Sequence, residues 1–225
     1  MAQATIIDGR AVAGDLRESI GKRVDKLKSQ GVNPGLAVVL VGDDPASKVY
    51  VRMKGKACEK LGVHEKTITL PEDTSEQDLL DLVDELNNDS SYHGILVQMP
   101  LPGHIDSNRV IRAVSPAKDV DGFHPVNVGK LVLGQEGFIA CTPHGILKLL
   151  QHYDIETDGA NVVVVGRSNI VGKPITNLLY QKTDTGNATV TICHTHTKDL
   201  ASFTRRADIL IAAAGAPEFI KSDMI

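Results

Sequence analysis

Short apolar runs alternate with segments of helical periodicity along the whole chain, and this alternation strongly limits the possible folds. Leu36–Val41 and Val162–Val165 are rich in valine, as is typical of strands buried on both faces of a sheet. Ser75–Asn87 has leucine and valine at helical spacing on one side. Strands that alternate with helices form parallel sheets with helical crossovers. We therefore predict an α/β protein.

The alternation is interrupted once, by a stretch that resembles a cleft lining or a passage between two α/β domains. The irregular stretch Ser115–Ala140 is rich in glycine and proline, and we predict no helix or strand in it. A helix over Thr142–Tyr153 follows, with Thr142 as its expected cap. We place the domains at residues 1–140 and 141–225. The second has only three predicted strands, so we expect the sequence to stop short of its natural C-terminus.

Composition and charge exclude several classes of protein. The 225 residues carry a formal net charge of -4, whereas phosphate-backbone binding usually requires a basic face, so we expect no nucleic-acid partner. Residues 1–10 lack the pattern of a signal peptide, and no apolar run approaches the length of a membrane span. The three cysteines are far apart, which favours free thiols in a reducing compartment. These features predict a cytoplasmic protein.

The segment after the four valines has the pattern of a phosphate-binding turn. Gly166 permits a sharp turn of the backbone, and Gly172 permits close approach at the start of a helix, whose N–H groups attract an anion. The spacing G-x-S-x-x-x-G differs from the common dinucleotide fingerprint, so an ordinary strand-to-helix turn stays open. The strand–helix–strand order that follows favours a Rossmann-like dinucleotide-binding domain.

The residues after the next predicted strand favour NADP over NAD. An NAD site usually places an acidic side chain there, but this strand ends in Cys193-His194-Thr195-His196. Arg167 in the glycine loop suits a 2′-phosphate. The two histidines could also indicate a metal. On a strand they would point to opposite faces, and no third ligand is apparent, so we predict no metal site.

A second candidate site lies on the helix after Pro45. Tyr50 and Lys54 are four residues apart and share one face, where a partly buried pair could transfer a proton. An ordinary surface helix would look the same. Short-chain dehydrogenases also carry Y-x-x-x-K, but there the nucleotide loop precedes the Tyr/Lys helix, the reverse of the order here.

Several segments together resemble the methylenetetrahydrofolate dehydrogenase–cyclohydrolase family. They occur in the family's order and span nearly the whole chain. They are Ser47–Lys54, Gly94–Pro102, Lys118–Phe123, Cys141–Gly145 and Val165–Pro174.

The resemblance implies an enzyme that oxidises 5,10-methylenetetrahydrofolate with NADP and hydrolyses the product to 10-formyltetrahydrofolate. By position in the matched motifs, Lys54 resembles the general acid/base of hydrolysis and Gln98 its polar partner. Tyr50 resembles the residue that stacks on the folate and helps to orient Lys54, and Asp121 resembles the anchor of the pterin ring. Pro100 is expected to line the same site. Judged alone, Gln98 would be a polar residue at a strand end and Asp121 a turn residue.

The resemblance also implies a set of cofactor-binding residues. Arg167 is expected to bind the 2′-phosphate. The others are Gly166, Ser168, Gly172 and Thr195. The family often has serine and a basic residue where this chain has Thr195 and His196, and an imidazole is mostly neutral at pH 7.

Two other classes stay open at the level of sequence. One is a dehydrogenase without the hydrolytic step, against which the intact Tyr50, Lys54, Gln98 and Asp121 argue. The other is a non-catalytic folate- or nucleotide-binding protein. The expected partners are tetrahydrofolate derivatives and a second copy of the chain, because the family tends to dimerise through its nucleotide half.

Overall fold

The computed structural model describes residues 4–225, which form two separate α/β units. The helices are α1 (Gly9–Ser29), α2 (Pro45–Leu61), α3 (Glu76–Asn88), α4 (Ser107–Ala113), α5 (Pro125–Val132), α6 (Cys141–His152), α7 (Gly172–Tyr180) and α8 (Leu200–Thr204). The strands are β1 (Gly35–Val41), β2 (His64–Leu70), β3 (Gly94–Val97), β4 (Asn161–Val165), β5 (Thr189–Cys193) and β6 (Ile209–Ala212). A short 3-10 turn covers Ser222–Met224.

The first unit is built on a parallel sheet with strand order β2-β1-β3 in the described chain. The central strand β1 is buried on both faces, because successive side chains point to opposite sides. Ala37, Val39 and Val41 pack in the core cluster that contains Leu79 of α3. The alternate residues Val38 and Leu40 pack in a second cluster, which contains a residue of α2.

The second unit repeats this design with strand order β5-β4-β6, again parallel, in the part of the chain described. Val162 and Val164 of β4 pack in the core cluster that contains Ile175 of α7. Val163 and Val165 share the opposite cluster with Cys193. The two units and their parallel sheets confirm the predicted α/β class.

The division between the units falls near α5. Residues 10–126 form one unit, and residues 127–225 form the other together with the described residues up to Gly9. The backbone N–H of Asp8 donates a hydrogen bond to the Tyr153 hydroxyl over 2.7 Å, which ties this N-terminal segment to the second unit. The proposed functional boundary between residues 140 and 141 stays a prediction.

Two local predictions from the sequence are wrong. We predicted no regular element over Ser115–Ala140, yet α5 lies within that stretch and buries Asn127 and Leu131. Its glycine, Gly129, does not end the helix, because burial of Leu131 outweighs the weak helix propensity of glycine. Thr142 does not cap α6: the helix begins at Cys141 with Ala140 in the cap position and no side-chain cap bond.

Within residues 4–225, no helix is both long and apolar enough to cross a bilayer. The prediction that residues 1–10 are not a signal peptide falls partly on residues 1–3, which lie outside the described residues.

Truncation of the first core should destabilise the protein measurably. Leu79 is fully buried, so we expect Leu79→Ala to lower the free energy of unfolding by about 2–5 kcal/mol through lost burial and the cavity left behind. Urea denaturation followed by circular dichroism measures this. Leu133→Ala is the matched control: Leu133 is 71% exposed, so the change there should be about 0.5 kcal/mol or less. Equal effects of both substitutions would contradict the assignment of the core.

Candidate active site

Helix α2 is fixed at its start by a side-chain cap. The Asp44 carboxylate accepts a hydrogen bond from the Ser47 backbone N–H over 2.7 Å, and this bond is the main cause of the lowered pKa of Asp44. Pro45 occupies the first turn, where its missing N–H costs nothing. Burial of Ser47 and Val51 then sets which face of the helix packs on the sheet.

Lys54 is held by the residue that follows β3. Its Nζ donates a hydrogen bond to Gln98 Oε1 over 3.0 Å. Gln98 is itself fixed: its backbone N–H donates to the Val39 carbonyl over 2.8 Å, and its side-chain Nε2 donates to the Met99 carbonyl over 2.7 Å. The side-chain amide therefore presents its oxygen to the lysine. Pro100 follows at the exposed end of this strand, after a cis peptide bond.

Asp121 lies close enough to Lys54 for the two charges to interact. Burial raises the pKa of Asp121 to about 6; the Lys54 charge opposes this rise, and the Asp119 charge adds to it. A carboxyl group with a pKa near neutrality, beside a lysine, is typical of functional sites. The structure thus brings together Lys54, Gln98 and Asp121, which are distant in the sequence.

Tyr50 lies one turn before Lys54 on α2 and is 60% exposed. The sequence argument for a proton-transfer pair required both side chains to be partly buried, and this condition is met by Lys54 but not by Tyr50. An exposed phenol ring next to the lysine is instead available as a flat surface for an aromatic ligand.

In the loop between β4 and α7, the backbone at Gly166 and Gly172 lies very close to neighbouring main-chain atoms, as the sequence predicts. Gly166 has a φ of 134°, and an added Cβ would lie 2.3 Å from the Ala213 carbonyl oxygen. A Cβ on Gly172 would lie 2.1 Å from the Gly166 carbonyl oxygen. A side chain at either position would force the loop apart, so the start of α7 could not stay near the end of β4. The Ser168 hydroxyl accepts hydrogen bonds from the Val171 and Gly172 N–H groups over 3.0 and 3.4 Å.

Arg167 lies in this loop near the end of β5. Burial lowers the pKa of His194, and the charges of Arg167 and His196 lower it further. Arg167 therefore places a positive charge beside the two histidines, at the carboxyl ends of the two strands. Thr195 is exposed on the same turn. A 2′-phosphate requires such surroundings, whereas a carboxylate would repel it.

The prediction that His194 and His196 point to opposite faces of a strand is wrong. β5 ends at Cys193, and the two histidines lie in a turn with ring centroids 6.1 Å apart. The turn is closed by a 2.8 Å hydrogen bond from the His194 N–H to the Thr197 hydroxyl and a 3.2 Å bond from the His196 N–H to His194 Nδ1. Residues 4–225 contain no group of three or more His, Cys, Asp or Glu side chains that could hold a metal ion.

The sequence analysis missed a concave surface beside the glycine loop. A cavity of about 380 Å³ follows β6 and is lined by residues including Ala212, Gly215 and Phe219. The close approach of Ala213 to Gly166 places this loop at the carboxyl end of the sheet, where ligands of open α/β sheets bind. The Gly215-Ala216-Pro217 turn directly after a strand was the available signal. The sequence analysis considered His194 as part of a strand end without an acid and as a possible metal ligand, but it did not predict the effect of Arg167 on the His194 pKa.

Solved structures share this fold over nearly the whole chain. A bifunctional FolD methylenetetrahydrofolate dehydrogenase/cyclohydrolase from Campylobacter jejuni is 47% identical with a TM-score of 0.94, covering 98% of this chain and 77% of that one. A Trypanosoma brucei N5,N10-methylenetetrahydrofolate dehydrogenase-cyclohydrolase, solved in complex with NADP cofactor and inhibitor, is 35% identical with a TM-score of 0.93. It covers 100% of this chain and 76% of that one.

Sequence relatives agree with the structural ones. "Bifunctional protein FolD 2" of Geobacter sulfurreducens is 57% identical over 222 residues, which are 99% of this chain and 76% of that protein. "Bifunctional protein FolD" of Haloquadratum walsbyi is 58% identical over 223 residues, which are 99% of this chain and 72% of that protein. Residues 7–121 match the model described as "Tetrahydrofolate dehydrogenase/cyclohydrolase, catalytic domain", and residues 140–225 match its "NAD(P)-binding domain". The chain belongs to the tetrahydrofolate dehydrogenase/cyclohydrolase family.

Proposed function

We propose that this protein oxidises 5,10-methylenetetrahydrofolate to 5,10-methenyltetrahydrofolate with NADP and hydrolyses that product to 10-formyltetrahydrofolate. The observation that carries the proposal is the Lys54–Gln98 hydrogen bond, with Asp121 beside it, in a chain of this family. Relatives 53–58% identical to it are named bifunctional, and the Trypanosoma brucei structure contains NADP.

Lys54 is proposed as the general acid/base of the hydrolytic step. Water adds to the carbon between the two folate nitrogens and gives up one proton. The bond from that carbon to N5 then breaks as N5 takes up a proton, and the hydroxyl left by the water loses its remaining proton to solvent to become the formyl oxygen. A single amine can accept the first proton and donate the second. The Gln98 side-chain oxygen fixes the position of the amine by accepting a hydrogen bond from it. Proton transfer needs this orientation because it requires hydrogen-bond distance to the reacting atoms.

Asp121, Tyr50 and Pro100 are proposed to bind the folate. Both oxygens of the Asp121 carboxylate can accept hydrogen bonds from N–H groups of the pterin ring only while the group is ionised, because protonation turns one oxygen into an O–H donor. The exposed ring of Tyr50 offers a stacking surface within one helical turn of Lys54. Pro100 follows Gln98 at the end of β3 and would line the same side.

The second unit is proposed to bind NADP, whose nicotinamide ring accepts the hydride from the substrate methylene carbon. Gly166 and Gly172 keep the loop close to the start of α7, where backbone N–H groups can bind the pyrophosphate. Ser168 holds that loop through its two hydrogen bonds to the main chain. Arg167 and Thr195 are assigned to the 2′-phosphate. The cavity after β6 is the candidate site for the nicotinamide end.

A homodimer and a cytoplasmic location complete the proposal. β5 lies at an edge of its sheet with Ile192 exposed, and an edge strand can pair with a second copy of the same strand. The three cysteines are free thiols, which suits a reducing compartment.

Loss of the Lys54 amine should reduce the rate of hydrolysis far more than the rate of oxidation. We expect Lys54→Met to lower the cyclohydrolase rate by about 100- to 10,000-fold, because general acid/base catalysis contributes that much. Hydride transfer needs no such base and should be less affected. Spectrophotometric assays of the two steps measure this, with Lys56→Met as a control, because Lys56 lies on the same helix and is exposed. An unchanged cyclohydrolase rate would sink the assignment.

Folate binding should depend on ionisation of Asp121. Its raised pKa means that the carboxylate is present above about pH 6 and is protonated below it. We therefore expect folate affinity to fall about tenfold per pH unit below that point, because a one-unit change alters the ionised fraction by that factor. Asp121→Asn should bind weakly at every pH and impair both activities. Calorimetry from pH 5 to 8 measures this, with the exposed Asp73→Asn as control; a pH-independent wild-type affinity contradicts it.

Arg167→Ala should weaken NADP selectively. A hydrogen bond to a charged group is worth about 1.5–3 kcal/mol, so loss of one such contact should raise the NADP dissociation constant by about 10- to 150-fold. NAD lacks the 2′-phosphate, so its affinity should change little. Fluorescence titrations with both cofactors measure the difference, with Arg112→Ala as control. Equal weakening of both cofactors would mean that Arg167 shapes the loop and does not bind the phosphate.

A further inference from the structure

Asp119 is a buried carboxylate with no role in the function proposed above. It is 5% exposed, and it precedes Asp121 by two residues. Its backbone forms a parallel bridge with Ile95 of β3, so it lies beside the sheet at the start of the turn that carries Asp121. A carboxylate is rarely buried unless its oxygens accept hydrogen bonds, so the hydrogen-bond donors around Asp119 indicate what it does in the structure.

The turn over residues 119–124 closes around this carboxylate. Oδ1 accepts a hydrogen bond from the Phe123 N–H over 3.3 Å, and Oδ2 accepts one from the His124 N–H over 2.9 Å. The Asp119 carbonyl also accepts a bond from the Gly122 N–H over 3.1 Å. Gly122 has a φ of 67°, which an L-residue rarely adopts. Asp121 therefore lies inside a turn with each end held by Asp119.

The same turn is anchored to the sheet and to α3. The Lys118 ammonium donates to the Leu86 and Asp89 carbonyls near the end of α3, over 3.0 and 2.7 Å. The Lys118 carbonyl accepts a 2.7 Å bond from the Ile95 N–H. A Cβ on Gly94 would lie 2.5 Å from the Val120 side chain, so a larger residue there would force β3 or the turn to shift. The position of Asp121 thus depends on the internal closure of a turn whose base is fixed.

We propose that Asp119 is a positioning residue of the folate site, which closes the turn that presents Asp121 and supplies a negative charge opposing that of Lys54. The inference rests on the proposed folate-binding role of Asp121. Asp119 is not assigned any contact with the substrate.

The charge of Asp119 has a measurable consequence at Asp121. Burial raises the pKa of Asp121, Lys54 from α2 lowers it, and Asp119 from the same turn raises it. Replacement of Asp119 by a neutral residue removes a negative charge near Asp121, which stabilises the ionised form of Asp121. The pKa of Asp121 then falls below its value of about 6.

The test is a carboxyl NMR titration of the free protein with Asp119→Asn. Asparagine keeps one acceptor oxygen but turns an NH2 group toward the second backbone N–H, so it breaks the closure as well as the charge. The Asp121 signal is assigned by its loss in Asp121→Asn. We expect a lower titration midpoint for Asp121 in Asp119→Asn. The control is Asp89→Asn, an exposed carboxylate that accepts a bond from the Ser91 N–H over 2.8 Å, and its Asp121 midpoint should stay near the wild-type value.

Steady-state kinetics test the positioning directly. Asp119→Asn should raise KM for the folate by about tenfold, the effect of a 1.4 kcal/mol loss of binding, and leave KM for NADP unchanged. A general loss of structure would raise both constants. An unchanged Asp121 midpoint with an unchanged folate KM overturns the proposal, and so does an equal rise in both KM values.

A second variant keeps the proposal testable if Asp119→Asn does not fold. Gly122→Ala retains both carboxylates but strains the turn at its left-handed residue. It should raise KM for the folate and not KM for NADP; an unchanged folate KM overturns the positioning role. The NMR titration requires no turnover, so an inactive wild-type protein would overturn the proposed function and leave the electrostatic test of Asp119 intact.

Discussion

The burial of β1 and β4 on both faces is the constraint on which the rest of the structure depends. Each is the middle strand of its sheet, and alternate valines pack into clusters on opposite sides. Helices must cover both faces, so every crossover returns the chain in the same direction and the carboxyl ends of the strands meet at one edge. Gln98 after β3 and Gly166 after β4 lie at the carboxyl ends of their sheets because of this strand burial, whether or not a ligand binds there.

The electrostatics of the first unit follow from the same packing. The site contains one lysine and two carboxylates, and Asp121 is partly buried between opposing influences. If Asp121 were fully solvated, it would stay ionised at any physiological pH. Burial and the neighbouring Asp119 bring its pKa to about 6, so a small change in surroundings alters its charge. A pterin ring that donates hydrogen bonds to the carboxylate would favour the ionised form, which couples substrate binding to the charge beside Lys54.

The sequence predicted the fold well because strand burial and helical periodicity are local signals. The valine runs, the Pro45 helix start and the two glycines were all visible without structure. The proximity of Lys54 to Gln98 was visible only through the family resemblance, because a contact between residues 44 apart depends on the sheet register. α5 was missed, because glycine and proline suggest a loop where tertiary burial makes a helix. The burial of Asp119 and its two hydrogen bonds from backbone N–H groups had no signal in the sequence, because they follow from the tertiary position of the turn.

The turn after β5 contains His194 and His196, and its hydrogen bonds indicate which nitrogen of His194 carries no proton. His194 Nδ1 accepts a hydrogen bond from the His196 N–H, so this nitrogen carries no proton in the observed turn. Protonation of His194 at Nδ1 would break that bond, and burial with the nearby Arg167 charge already lowers its pKa. The neutral form of His194 is therefore favoured, and Arg167 supplies the permanent positive charge at the end of the two strands. Beside this turn a cofactor phosphate would therefore find the fixed charge of the Arg167 guanidinium, whose planar set of N–H donors matches phosphate oxygens in geometry.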